Sequence, residues 1–240
     1  MTLSAQAIVE NLSAVRDAIA ARARAAGRAA DAVTLIAVSK GHDAAVIRAA
    51  WAAGQRDFGE SYVQEWQRKA EALADLDGLR WHFIGHLQRN KVKHVVGRVG
   101  LIHTADTMAG IDAMIREAWA TQLRQDVLLQ VNLAAETSKR GCSDEDVEVF
   151  TQVLLRAPGL RLCGLMTLPP AVEDAEQARP WFRRLRALRT DIVARFGEDY
   201  PEVIDDLQIL SMGMSDDWPV AVDEGATHVR VGTAIFGPRG

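Results

Sequence analysis

The sequence predicts an α/β protein folded as a single (β/α)8 barrel of the TIM type, with an additional N-terminal helix. Three observations carry that reading. Apolar runs of strand length alternate with segments of helical period eight times along the chain. No linker or low-complexity tract interrupts the alternation. The first run, Val33 to Val38, shows no wetted face, as befits a strand of a parallel sheet covered by helices. The 240 residues suit one such domain, taken as residues 1–240. An open doubly wound sheet is the competing arrangement.

The elements follow in order. Ile8, Leu12, Val15 and Ile19 recur at helical spacing between Leu3 and Ala26, and Gly27 ends that first helix. The first strand is Val33-Thr-Leu-Ile-Ala-Val38, leading into Ser39-Lys40-Gly41. Asp43 is placed to cap a helix burying Val46, Ile47 and Trp51, which Gly54 stops. Arg56 to Glu60 is the second strand, and a helix runs through Tyr62, Val63, Trp66 and Leu73. Trp81 to Gly85 is the third strand, with a short helix from Asn90 to about Val96. Leu101 to Thr104 is the fourth, leading into a helix through Met108, Ile111, Ile115 and Trp119. Asp126 to Val131 is the fifth, followed by a polar loop from Asn132 to Gly141. Ser143 then caps a helix with Val147, Phe150 and Leu154, closed by Pro158-Gly159. Leu160 to Met166 is the sixth strand. A long helix from about Asp174 to Phe196 carries Trp181, Leu185, Leu188 and Ile192 on one face. Leu207 to Ser211 and Thr227 to Val231 are the seventh and eighth strands, and the chain leaves little or no eighth helix after them. The first helix is left to cover the outside or bottom of the barrel.

Composition narrows the function classes. A net charge of −4 gives no global attraction to nucleic acid or to an acidic membrane. Cys142 and Cys163 are spaced as neither a redox pair nor a zinc site, and read as reduced thiols. Glu10, Arg16 and Asp17 interrupt the apolar residues of the N-terminus, so it is neither signal peptide nor membrane span. A soluble, cytoplasmic protein is expected.

In a barrel, the residues just after each strand share one rim, where ligands bind. Lys40 lies there, after the first strand; alternatively, it is only the first solvated residue of a loop. Ser211-Met-Gly-Met-Ser215 and Arg230-Val-Gly232-Thr233 follow the last two strands, the usual phosphate position of this architecture. Glycine lets backbone N–H groups approach an anion, and a hydroxyl adds one more donor. A phosphate grip facing a lone lysine suggests a phosphorylated carbonyl compound held as a Schiff base. Desolvation favours the neutral amine that such a linkage needs. Arg230, two residues before Gly232, either donates to a ring nitrogen or forms an ion pair within the barrel.

These stretches resemble the pyridoxal phosphate homeostasis proteins, the YggS/PROSC family, which share the fold of the alanine racemase N-terminal domain. The resemblance rests on Leu35-Ile-Ala-Val-Ser-Lys40, Asp57-Phe-Gly-Glu60, Trp81-His-Phe-Ile-Gly85 with Leu87-Gln88, and Gln130-Val-Asn132. It continues through Gly164-Leu-Met166, Ser211-Met-Gly-Met-Ser215 and Arg230 to Gly237, so it spans nearly the whole chain. It implies that Lys40 holds pyridoxal 5′-phosphate as a Schiff base. It further implies that Ser215, Gly232 and Thr233 hold the phosphate and that Arg230 faces the pyridine nitrogen. The implied role is buffering and delivery of the cofactor by a monomer, with apoenzymes that use it as partners. Two positions depart from the family pattern: Gly41-His42-Asp43 replaces Thr-Lys-Pro, and Ser61 replaces an asparagine.

An arginine opposite the ring nitrogen leaves it unprotonated, which weakens carbanion stabilisation. The alternative is a racemase-like enzyme, for which Tyr62 or His86 is the acid–base candidate. A barrel hydrolase using Glu60 lacks a second carboxylate at a defined separation. His82 and His86 straddle a strand and its turn and are not read as a metal pair. Five arginines from Arg179 to Arg189 read as the solvated side of an amphipathic helix. Glu136 and Lys139, in a polar loop near the rim, either gate cofactor access or, the reading preferred, are solvated charges. Met166, Met212 and Met214 read as packing around the ring.

Overall fold

The computed structural model describes residues 3–134 and 140–238, so Glu136 and Lys139 lie outside the described residues. Eight parallel strands close a barrel in sequence order: β1 (Thr34–Val38), β2 (Asp57–Glu60), β3 (Arg80–Phe83), β4 (Leu101–Ala105), β5 (Gln125–Val131), β6 (Leu160–Thr167), β7 (Ile209–Ser211) and β8 (His228–Val231). The ring is sealed by β1 against β8, in register from Thr34 opposite His228 to Ala37 opposite Val231. That pairing excludes the open doubly wound sheet, in which first and last strands never meet.

Alternation along each strand sends one set of side chains out and the other in. Outward residues such as Leu35, Ala37, Val229 and Val231 join the main core beneath the helices. Inward residues divide the barrel's interior into two halves. Leu101, Leu128, Cys163 and Met166 form a small apolar cluster of their own. Asp57, His82, His103, Ser211 and Arg230 make the other half a buried polar seam.

Around the barrel run α1 (Ala5–Ala25), α2 (Ala44–Ala52), α3 (Val63–Ala72), α4 (Met108–Thr121), α5 (Val147–Leu155), α6 (Arg179–Phe196), α7 (Glu202–Asp206), α8 (Trp218–Asp223) and α9 (Thr233–Phe236). Ser4 caps α1, its Oγ accepting from Ala7 N at 3.2 Å. The buried stripe Ile8, Leu12, Ile19 and Ala23 lays α1 against α2, α8 and α9. Asn11 Nδ2 donates to the Ile235 carbonyl at 3.1 Å, and Arg16 Nη1 to the Ala53 carbonyl at 2.8 Å. α9 is a single turn, so α1 occupies the outer-layer space that a full helix after β8 would fill. Among the described residues, no helix is long and apolar enough to cross a membrane.

Several boundaries differ from expectation for local reasons. Ser143 does not cap α5: its Oγ accepts from Asp146 N at 3.2 Å and donates to the Asp146 carboxylate, fixing a turn before the helix begins at Val147. The long helix is a 3-10 turn, Ala175–Ala178, joined to α6, with Pro180 in the first turn of α6. Its buried stripe starts at Phe182, with Trp181 only half-buried. The segment after β3 is likewise a 3-10 helix, Arg89–His94. β7 is shorter than the apolar run Leu207 to Ser211, because Val203 and Leu207 are drawn into the core by α7. Trp119 stands 64% exposed on α4, whose buried face is Ile111, Met114 and Ala118. The arginines of α6 are more than a solvated face. Arg179, Arg183 and Arg186 converge on Glu224 after α8, and Arg184 pairs with Asp144.

A candidate cofactor cavity at the strand-end rim

Ile36, Val38 and Lys40 share the inward parity of β1, which aims the lysine over the barrel mouth. There a cavity of about 550 Å³ opens between the ends of β1, β6, β7 and β8. Lys40, Ser215, Arg230, Gly232 and Thr233 all line it. The five residues singled out in the sequence are therefore neighbours in space.

The turn that carries Lys40 is held from beneath. Ser39 N donates to Gly59 O at 3.1 Å, and His42 N to Ser39 O at 3.1 Å. Gly41 has φ +77°, a conformation that side chains resist, and its N–H donates to Glu65 Oε1 at 2.6 Å. Ser39 faces away from the cavity: its hydroxyl donates to Glu60 Oε1 at 2.7 Å. Lys69, reaching in from α3, donates at 2.7 Å to Ser39 O, Glu60 Oε1 and Glu65 Oε1 together. Burial pushes the Glu60 carboxyl up, against the pull of Lys69 and Ser39. Burial works against ionisation of Glu65 as well, but Lys69 and the Gly41 N–H hold it below the ordinary carboxylate range.

The opposite wall is Arg230, which is 4% exposed. Its Nη1 donates to Ser211 Oγ at 2.6 Å and its Nη2 to Thr167 O at 3.0 Å. Neither acceptor is a carboxylate, so the ion-pair alternative is not how this guanidinium is held. Burial pushes its pKa down to about 10, with Asp217 pulling the other way. Asp217 shapes the loop after β7, where its Oδ1 accepts from Met214 N at 2.6 Å. Gly213 in that loop has φ +92°, and a Cβ there would lie 2.7 Å from Ala221 Cβ. Gly232 is different: its φ of −120° is ordinary, but a Cβ would stand 3.1 Å from Val38 O. Thr233 opens α9 beside it.

Other rim residues go elsewhere. Met166 is buried in the barrel's apolar half and Met212 in the outer core, leaving Met214 as the methionine that lines the cavity. Tyr62 is 64% exposed, and His86 hydrogen-bonds Asp106 at 2.7 Å; neither lines the cavity. His82 points into the barrel and shares no partner with His86. The sequence reading noted His42 only as a departure from the family pattern and missed the segment Leu168 to Glu173. Both line the cavity, with the His42 ring packed on Phe236 at 5.5 Å. The Pro169-Pro170 pair after the sixth strand was the available signal for that segment.

A closed barrel with a lysine at the mouth and a buried arginine across from it defines a class that comparison with known proteins identifies. Residues 15–240 match the family described as alanine racemase, N-terminal domain. The chain belongs to that family and, within it, to the pyridoxal phosphate homeostasis proteins. The protein of that name from Aquifex aeolicus is 42% identical over 96% of this chain and 97% of its own length. The one from Pseudomonas aeruginosa is also 42% identical, over 97% of this chain and 96% of its own. The structure of PipY from Synechococcus elongatus, solved with PLP bound, is 37% identical and superposes with a TM-score of 0.81, covering 96% of this chain and 100% of PipY.

Proposed function

We propose that this protein binds pyridoxal 5′-phosphate in the Lys40 cavity and buffers and delivers it within the cell, as a monomer without turnover of its own. The observation that carries this is the convergence of Lys40, Ser215, Arg230, Gly232 and Thr233 on one cavity. The donor set fits the cofactor. Lys40 would hold the cofactor through its Nζ, the amine that an aldehyde carbon accepts with loss of water. Ser215 and Thr233 offer hydroxyls to the phosphate, and Gly232 lets backbone N–H groups approach it. Arg230 donates to the ring nitrogen and, being unable to give up its proton there, keeps that nitrogen unprotonated. When bound, the cofactor supplies an electrophilic aldehyde and an electron-accepting ring.

The racemase-like alternative needs an acid–base group on the far side of the cofactor. Tyr62 and His86, its candidates, stand outside the cavity, which favours the carrier reading. Names and structures of the relatives support cofactor binding and homeostasis. Recipients of the cofactor would be apoenzymes that depend on it.

Purified protein mixed with pyridoxal phosphate should absorb in the visible. Borohydride should bleach it and leave a pyridoxyl adduct on the peptide containing Lys40. Lys40→Ala should lose both signals. A colourless wild-type protein in excess cofactor would refute the binding. Exchange of amino-acid α-protons in deuterated water, abolished by Lys40→Ala, would refute the carrier role in favour of an enzyme.

A further inference from the structure

The polar half of the barrel's interior is a continuous hydrogen-bonded chain that the cavity residues alone do not explain. Arg230 Nη1 donates to Ser211 Oγ at 2.6 Å, and Ser211 Oγ lies 2.9 Å from His103 Nδ1. His103 Nε2 lies 3.0 Å from His82 Nδ1, and His82 Nε2 lies 3.0 Å from Asp57 Oδ1. Arg80 closes the far end, its Nε donating to Asp57 Oδ1 at 2.7 Å and its Nη2 to Oδ2 at 2.5 Å. The chain crosses from the first residue of β2 through β3, β4 and β7 to β8. Ser211 and His103 are wholly buried, His82 is 6% exposed and Asp57 7%.

We propose that Ser211, His103 and His82 are positioning residues that hold the Arg230 guanidinium at the cofactor ring through a hydrogen-bond chain of fixed direction, anchored on Asp57. This rests on the assignment of Arg230 to the ring nitrogen. The direction follows from donor and acceptor counts. An ionised carboxylate only accepts, so His82 Nε2 carries a proton. With one proton on each ring, His82 Nδ1 is an acceptor, and His103 Nε2 must supply the proton between them. His103 Nδ1 is then bare, and the Ser211 hydroxyl donates to it. Ser211 Oγ consequently presents a lone pair to Arg230 and cannot rotate its own proton into the way. Burial, with His82, Arg230 and His228 nearby, keeps His103 well below the ordinary imidazole range, as a singly protonated ring requires. The His228 ring packs 6.5 Å from His103, but its Nδ1 lies 3.0 Å from Thr227 Oγ1, outside the chain.

Two-bond ¹H–¹⁵N correlation spectra of the full chain, labelled at histidine and recorded without cofactor, read the proton positions directly. His82 and His103 should each carry a proton on Nε2 alone. A His103 protonated at Nδ1, or a His82 protonated at both nitrogens, overturns the proposed direction whatever the cofactor does. His103→Phe removes both links, whereas His103→Asn keeps an acceptor near the Nδ1 position for Ser211. The Arg230 Nη resonances, separate and slow in the parent, should average in His103→Phe and stay separate in His103→Asn. His103→Phe should also weaken retention of pyridoxal phosphate about tenfold and shift its visible absorption, with His103→Asn recovering most of the loss. Unchanged Arg230 resonances in both variants overturn the proposal. Should His103→Phe fail to fold, His103→Asn and the parent's proton positions still decide. If the parent shows the expected proton order and Arg230 behaviour but takes up no cofactor, it is the binding assignment that fails.

Discussion

Lys69 carries its charge almost out of reach of water, with 7% of its side chain exposed, yet it satisfies three acceptors at once. Its ammonium is shared between Glu60 and Glu65 while tying down the carbonyl of Ser39, beside Lys40. Removing one partner of such a buried group strands the other charges, a loss of roughly 3–5 kcal/mol. Lys69→Met should therefore lower the urea midpoint sharply and loosen the Lys40 turn. A midpoint within a few tenths molar of the parent would show that the clamp is not needed. Lys40 was legible from the sequence because an apolar run ends at Ser39-Lys40 and the glycine-bearing loops after the last two strands share its rim. Lys69 was not, since a lysine between Arg68 and Ala70 in a helix looks solvated until the turn it reaches is known. The buried histidines were likewise hidden: His82, His103 and His228 each sit in a different strand, and only closure of the barrel brings their rings within 6.5 Å.

At the scale of elements, α1 is the piece that a regular barrel lacks. Leu12, wholly buried on its inner stripe, joins α1 to the outer core. Leu12→Ala should cost about 3 kcal/mol, read as a fall in urea midpoint, since the loss combines transfer and cavity terms. An unchanged midpoint would mean that α1 is only loosely attached. Helix stripes and apolar strands were readable because periodicity needs no partner to be seen. Helix starts were less so. A serine such as Ser143 can satisfy a turn as readily as a helix, and the competing hydrogen bonds of Asp146 decide which. The acid partners of the α6 arginines lie in distant elements, so the sequence displayed only the charges and not their pairing.

For the whole molecule, the polar interior predicts how stability responds to acid. His228 is pushed down to about 4, chiefly by burial, and His103 lies well below its ordinary value for the same reason. The unfolded chain takes up these protons near pH 6.5, whereas the folded barrel refuses them until more acid is present. Stability should thus fall as pH drops from about 6.5 towards 4, by up to about 1.4 kcal/mol per pH unit for each ring. Urea midpoints at pH 7, 5.5 and 4.5 measure it; a flat profile would mean that both rings protonate freely in the native state. The eightfold alternation made the barrel legible, while the division of its interior depended on parity at strands whose exact ends the sequence did not mark. The joining of β1 to β8 also bears on synthesis. Until the last strand has left the ribosome, the first and seventh expose unsatisfied backbone edges, so a transcript truncated before β8 should yield aggregate rather than a smaller soluble barrel.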